Sequence, residues 1–458
     1  MIESAEQSMG HVGAASQRLA SFAKNTPWQD IPEPIRHEAK RSILNYFATA
    51  LAGCREPAID KSLAVLDCFS GQRTATMIGR RERGDMLLAA YVNAMAANIF
   101  DFDDTHPATI IHPTAPVAPA LFAMAETRKC SGEALLRAFI LGAEIECRIG
   151  NAVSPSHYDR GWHITSTCGI FGAAMGIGAL TGLSEDQLVW ALGNASAQAG
   201  GLVETLGTMS KSISVGNAAR NGLVSALLAA KDFSGPAAPL DGPRGFIPVF
   251  SDTPNQNALF DGLGDIWEIG KNTYKPYPVG VVLNPVVEAC LEMSQDEAVV
   301  VEDIAGVTLT GHPLLRQRTD RPNVTTGRES QVSAQHAIAI VLRRGRAGLP
   351  EFNDEAVVET KQDGIRPDIK FIDDESYDID AVEMVIHTSQ GGSHASKVAA
   401  AQGGPRNPMS DEALENKLSN LAIYGGFKRD VGPLSEAIWT LDTAPDAAAI
   451  MELAANPA

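Results

Sequence analysis

Apolar residues recur at spacings of three and four through most of the first 230 positions of the chain. Within 34–53, Ile43, Tyr46, Phe47 and Leu51 fall on one stripe, the pattern of an amphipathic helix. The same spacing predicts helices over 13–25, 57–69, 84–100, 115–127 and 132–149. Further helices are predicted over the small-residue run to about 182, over 185–199, and from about 214 to 231. Pro32 and Pro34 break the first two apart. Ser184 with Gln187 has the spacing of a capping box. Only 75–79, ATMIG, reads as a short extended piece in this part.

The character changes near residue 265. IWEIGKNTYKPYPVG is rich in β-branched and aromatic residues and reads as strand. DIAGVTLTG (303–311) alternates as a half-buried strand does, and 368–373, 381–389 and 394–400 read likewise. Helices are predicted at 282–294 and at 330–345, where Gly345 supplies a stop. Helical patterns return at 410–425 and 434–455. The expected fold is mainly α: a large helical domain over 1–267, completed by 401–458, and a smaller α+β domain over 268–400.

Composition narrows the function. A formal net charge of −18 over 458 residues excludes a broad basic surface for nucleic acid. It leaves room for a small anionic substrate held by a few local cations. The six cysteines have no CxxC spacing, so buried reduced thiols in a cytoplasmic protein are expected, with no zinc site. The polar, acidic N-terminal stretch is not a secretory signal. The glycine-rich run Thr165–Leu183 reads as a buried helix rather than a membrane span.

Candidate chemistry concentrates in NAMAANIFDFDDTHPATIIHPTA, residues 93–115. A helical pattern runs into Asp101, Asp103 and Asp104, followed by Thr105, His106 and His112, with Pro107 and Pro113 preventing helix continuation. DFDDT matches the DxDxT pattern of aspartyl-phosphate phosphatases, but that chemistry needs the motif after a buried strand, and the preceding YVNAMAANIF favours helix. A solvated helix end is the plain alternative, yet three acids at a helix C-terminus oppose the macrodipole and call for compensating cations or a function. His112 and His163 each close a Pro- or Gly-bounded loop, where a catalytic histidine and a satisfied structural one are equally expected. Lys211 is carried by the loop GGLVETLGTMSKS and lies in GTMSKSISVGNAAR, between that loop and the following helix, where a pocket lysine is favoured over a surface one; GNAAR has too few glycines for a dinucleotide fingerprint. Lys275, in YKPYP, sits at the expected domain junction, as a rigid linker or a ligand contact. If convergent, these acids, imidazoles and cations fit proton abstraction α to a carboxylate, which needs a base and positive groups for the enolate-like charge, and no cofactor.

DFDDTHPATIIHP, RGWH, GTMSKSISVGNAARNG, YKPYP, SAQHAIAIVLRRG and GGPRNPMSDEALENKLSNLA, in that order, resemble the MmgE/PrpD family over about 13–455. The resemblance implies a homodimer that acts on small polycarboxylates without metal or organic cofactor, in a cleft between a helical domain and an α+β lid. It places Asp101, Thr105, His112, His163, Lys211 and Lys275 in that cleft. His112, His163 and Lys211 are then expected to handle protons or hold the enolate. Asp101 and Thr105 are expected to orient imidazole or substrate, and Lys275 to bind a carboxylate. Asp103, Asp104 and His106 are expected to be structural. Two departures from the lyase members bear on the reaction. Gly280 and Asn284 stand where those members carry histidines, and His106 follows the Asp-Thr pair where a dehydratase-type loop carries Trp. These departures weigh against a decarboxylase or dehydratase, while the compact length and the loop DFDDTHPATIIHP look most similar to the iminodisuccinate epimerase branch. The expected activity is epimerisation of that or a similar aminopolycarboxylate. A hydro-lyase of the 2-methylcitrate dehydratase type or a cis-aconitate decarboxylase-like lyase is the alternative, and a silent binding protein of the same fold is the third reading.

Overall fold

The computed structural model describes residues 13–362 and 368–457. The chain forms two compact units, Met1–Asn272 with Leu414–Ala458, and Thr273–Ala413. It is mainly α, with a smaller α+β region in the C-terminal part.

The first unit is built from the helices the periodicity predicts. Their starts are fixed by local chemistry. Asp85 Oδ1 accepts from the amides of Leu87 and Leu88, both at 2.9 Å, and so opens the helix Met86–Asn98. Ser131 caps Gly132–Val153, and the capping box of Ser184 and Gln187 forms as expected at Glu185–Ser196. The helix Ile164–Thr181 is long and apolar enough to cross a membrane, but it lies in the core and is 83% buried. Gly132–Val153 and Ser210–Ala229 pack against it. Small residues set that approach: a Cβ on Gly222 would stand 2.6 Å from the Ile170 carbonyl oxygen.

The second unit carries a four-stranded sheet in the spatial order Ile369–Asp373, Ile304–Gly311, Val382–Thr388, Ser393–Val398. The first pair is parallel and the other two are antiparallel. Alternation puts Val307, Leu309, Met384 and Ile386 on the buried face, where they meet residues of the helices Asn284–Met293 and Ala334–Arg344. Gly345 ends the latter in the left-handed region, at φ 61°.

Several expectations are corrected. The strand-like stretch near 265–279 is mostly irregular, with a 3-10 turn, Glu268–Lys271, and a two-residue strand, Thr273–Tyr274; Pro276 and Pro278 cannot donate to a ladder. The expected helix 434–455 is broken into Gly432–Trp439, Leu441–Thr443 and Ala449–Leu453 around Pro445. The polar stretch 150–162 that leads to His163 is part helical, because Gly132–Val153 runs on into it and Ser156–Asp159 adds a turn. Lys211 is not in a loop but in the first turn of Ser210–Ala229. Of the six cysteines, all free, Cys68 is exposed and Cys130 half-buried.

Candidate functional site

The DFDDT segment follows a helix, not a strand, so the phosphatase arrangement is absent. Asp101 leaves the helix end with φ 56°, a left-handed conformation that a non-glycine residue adopts at a strain of about 1–3 kcal/mol. The chain then makes a tight excursion. The His106 amide donates to the Ile111 carbonyl at 2.8 Å, and Ile110 turns the corner at φ 57°. This hairpin brings His112 back onto the acids it has just left. Lys417 braces the loop from beneath, donating to the Phe102 carbonyl at 2.8 Å and to Asn45 Oδ1 at 2.9 Å.

His112 is buried among carboxylates. Its Nδ1–H is directed at the Asp104 carbonyl, 2.8 Å away. Asp103 Oδ1 lies 3.1 Å from the same nitrogen but off the N–H direction, so it acts as a charge neighbour rather than an acceptor. Nε2 faces Asp101 Oδ1 at 3.3 Å. Burial disfavours the charged ring, but Asp103, with Asp101, outweighs it and carries His112 up to about 9. Reciprocally, the His112 charge overcomes burial and holds Asp103 below the usual carboxylate range. Asp103 is also fixed by Asn98 Nδ2 at 2.7 Å.

Lys211, buried in its first helical turn, places Nζ 2.6 Å from Asp101 Oδ1. One carboxylate oxygen therefore faces both a lysine and an imidazole. Thr105 is half-buried just beyond Asp104. Asp104 turns the other way, accepting from Thr114 Oγ1 at 2.5 Å and Asn272 Nδ2 at 2.6 Å. Burial and then the Asp103 charge push it up to about 6. Glu146, fully buried with neither carboxyl oxygen hydrogen-bonded among the described residues, is pushed well above the carboxylate range by burial and then by Asp104. His106 has both nitrogens engaged, by Thr109 Oγ1 at 2.7 Å and Glu268 Oε2 at 3.0 Å.

His163 stands at the N-cap of Ile164–Thr181, its amide donating to the Gly201 carbonyl at 3.0 Å. Gly201 adopts φ 133°, and a Cβ there would fall 2.0 Å from Ser166 Oγ. Two hydroxyls face His163 Nδ1, Ser214 at 3.2 Å and Ser166 at 3.3 Å. Each hydroxyl proton is already committed: Ser166 donates to the His163 carbonyl and Ser214 to the Lys211 carbonyl, both at 2.8 Å. Both oxygens must then accept, which puts the hydrogen on Nδ1 and leaves Nε2 with its lone pair. No partner for Nε2 is found among the described residues. Burial, followed by the charges of Lys211 and His112, pushes His163 down to about 3, so it is neutral.

Of the expected site residues, Asp101, His112 and Lys211 are in direct contact, and the field of Lys211 and His112 reaches His163. Lys275 is buried in the other unit. Gly280 precedes a 3-10 turn and Asn284 begins the helix that follows it, so neither position supplies an imidazole. Asp103 as the charge partner of His112, and Ser166 and Ser214 as partners of His163, were missed from the sequence. The spacings 163/166 and 211/214, one helical turn each, were the available signal.

Comparison with known proteins places the chain in a family. Residues 17–258 match the MmgE/PrpD N-terminal domain and residues 277–432 the MmgE/PrpD C-terminal domain. A cis-aconitate decarboxylase of Aspergillus terreus is 26% identical over 485 residues, covering 99% of this chain and 98% of that protein. The cis-aconitate decarboxylase of Mus musculus is 25% identical, with 97% and 94% covered. That of Homo sapiens is 26% identical, with 84% and 83% covered. These relatives carry the name of a decarboxylase and not of an epimerase, so they favour a lyase over the expected iminodisuccinate epimerase. Matched over both of its domains, the chain belongs to the MmgE/PrpD family.

Proposed function

We propose that the protein is a cofactor-independent lyase acting on a small polycarboxylate, and that the first reaction to test is decarboxylation of cis-aconitate. The observation that carries this is the split in charge between two buried histidines beside one lysine: His112 cationic, His163 neutral with an open Nε2. The names of the relatives support the reaction type.

Loss of CO₂ breaks a carbon–carbon bond and leaves its electron pair on the remaining skeleton, where the adjacent alkene and carboxylates delocalise it. One proton must then be delivered to carbon. Lys211 and His112 are the cations that bind carboxylates and hold the delocalised charge. His163 is the group that handles the proton. At rest it is neutral because of burial and those two cations. A bound polycarboxylate cancels the field of the cations, so the ring gains basicity when substrate arrives, takes one proton from solvent at Nε2, delivers it to the carbanion carbon and returns to the neutral form. Asp101 keeps Lys211 and His112 aimed at one point, and Asp103 maintains the His112 charge.

The test is incubation with cis-aconitate in D₂O, followed by CO₂ assay and mass spectrometry. The expected result is CO₂ release and a five-carbon dicarboxylate carrying one carbon-bound deuterium. The epimerase reading rests on Gly280 and Asn284 standing in place of histidines. It is supported instead if iminodisuccinate exchanges its α-hydrogen with no alkene and no CO₂ formed. Binding of both compounds without any exchange or CO₂ release overturns the enzymatic reading.

A further inference from the structure

A second charged feature lies in the first unit, away from the residues described above. Residues Arg55, Arg80, Arg81 and Lys428 line a groove of about 490 Å³. Asp60, Glu82 and Asn456 complete it, so four cations face two carboxylates on a chain whose formal charge is −18. Four separate stretches of chain meet here, at 55–60, 80–82, 428 and 456. The Asn456 amide donates to the Arg80 carbonyl at 3.1 Å, and its side chain accepts from the Lys428 amide at 2.9 Å. Asn456 Nδ2 donates in turn to the Gly79 carbonyl at 2.5 Å. These bonds tie residues near the C-terminus to the 79–82 turn and make the floor stiff.

Both carboxylates are already used within the groove. Arg80 Nη1 meets Asp60 Oδ1 at 2.7 Å and the Cys54 carbonyl at 2.8 Å, while Nη2 meets Glu82 Oε1 at 2.9 Å. That pins one guanidinium. Its Nε–H, buried, has no acceptor among the described residues. Arg55, Arg81 and Lys428 are exposed, and their side chains have no hydrogen bond or ion pair among the described residues. Asp60 and Glu82 offset only part of the charge of four cations, so the groove keeps a net positive charge in a protein this acidic. An anion of two or more charges offsets the remainder, and guanidinium forks suit the oxygen spacing of phosphate and carboxylate.

We infer that this groove is a binding site for a small polyanion, bearing phosphate or several carboxylates, separate from the candidate active site. Arg55, Arg81 and Lys428 are its ligands and Arg80 its fixed base. The site needs no catalysis by the protein and stands whether or not the lyase reading holds.

The test is isothermal titration calorimetry on the full chain at low and at high salt. The probes are inorganic pyrophosphate for the phosphate source and tricarballylate for the carboxylate source. At low salt, at least one probe is expected to bind, and binding should weaken at least about tenfold when Arg55→Ala, Arg81→Ala and Lys428→Ala are combined. The three side chains are exposed, so the triple variant should keep the wild-type Tm. Where the lyase reading holds, tricarballylate also binds at the candidate active site and its stoichiometry should drop from two to one; where that reading fails, it should drop from one to zero. Exchanging Arg55 and Arg81 for Lys should retain most of the binding. Heat from pyrophosphate alone assigns the groove to phosphate ligands, and loss of one tricarballylate site alone assigns it to carboxylates. The proposal is overturned if every probe that binds the wild type binds the triple variant unchanged, or if neither probe binds the wild type at low salt.

Discussion

His112 and His163 are the same side chain in two neighbourhoods, and burial pushes both in the same direction, toward neutrality. What differs is the company. The 101–114 loop surrounds His112 with carboxylates, and Asp103 with Asp101 overrides burial. The segment at 163–166 and the helix start at 211–214 give His163 hydroxyls whose protons are already spent, and Lys211 adds a positive field that deepens the effect of burial. Chain routing thus separates a ring that is charged at neutral pH from one that is neutral. In the proposed reaction the contrast matters more than either value, because carbanion chemistry needs positive charge where electrons accumulate and a proton carrier that is not itself held as a cation at rest.

The sharpest way to break the comparison is to remove the neutral partner. His163→Ala should lower turnover by about 10²–10⁴-fold, the usual range for loss of a general acid or base. It should leave the Tm within a few degrees. Full turnover in that variant, measured by CO₂ release from cis-aconitate, takes His163 out of the mechanism. Next in size is Asp103→Asn, which removes the main contribution that keeps His112 charged. Activity should fall by about 10–100-fold, and the NMR titration midpoint of the His112 ring should drop from about 9 toward neutrality or below.

The same variant tests a stability argument whose sign differs for the two rings. His112 has a folded pKa raised from 6.5 to about 9. Its contribution is complete below about pH 6.5 and is lost as pH rises through 9, so the wild-type Tm should fall between those values. In Asp103→Asn that alkaline slope should flatten. His163, held down at about 3, works on the other limb. The unfolded chain takes up a proton below 6.5 that the native ring refuses, so stability falls from there toward pH 3 and His163→Ala should soften the decline. Asp104, raised to about 6, opposes that decline between pH 6 and 3.8. An alkaline Tm slope identical in wild type and Asp103→Asn places the His112 charge elsewhere.

The helices were legible because their apolar stripes and caps are local, and Asp85, Ser131 and Ser184 act on amides two or three residues away. The alternating strands of the second unit were legible for the same reason. The proline-punctuated stretches misled, since β-branched and aromatic residues around Pro276 and Pro278 carry a strand composition without a strand's hydrogen-bonding capacity. Within the candidate site, residue types were visible and their pairing was not. Nothing in DFDDTHPATIIHP says that the loop reverses at Ile110 and returns His112 to Asp103, because that depends on a left-handed turn at a β-branched residue, which sequence preference argues against. Lys417 falls within the block GGPRNPMSDEALENKLSNLA, but nothing in that block says that it grips the Phe102 carbonyl more than three hundred residues away.

The smallest expected effect probes the finest part of the contrast, the tautomer of His163. Ser214 Oγ gives its proton to the Lys211 carbonyl and so receives the Nδ1–H, sharing that hydrogen with Ser166. Ser214→Ala removes one acceptor and leaves the other in place at 3.3 Å. A neutral hydrogen bond of this kind is worth about 0.5–1.5 kcal/mol, so turnover should fall by a few-fold to about tenfold. Nitrogen-15 shifts of the ring should still report Nδ1–H as the major form. Combining Ser166→Ala with Ser214→Ala removes both acceptors, and the two changes should then cost more together than their separate effects predict, because only the pair leaves a buried N–H without a partner. A ring that keeps the same tautomer and the same turnover in the double variant is set by something other than these hydroxyls, and the open lone pair at Nε2 then loses its structural cause.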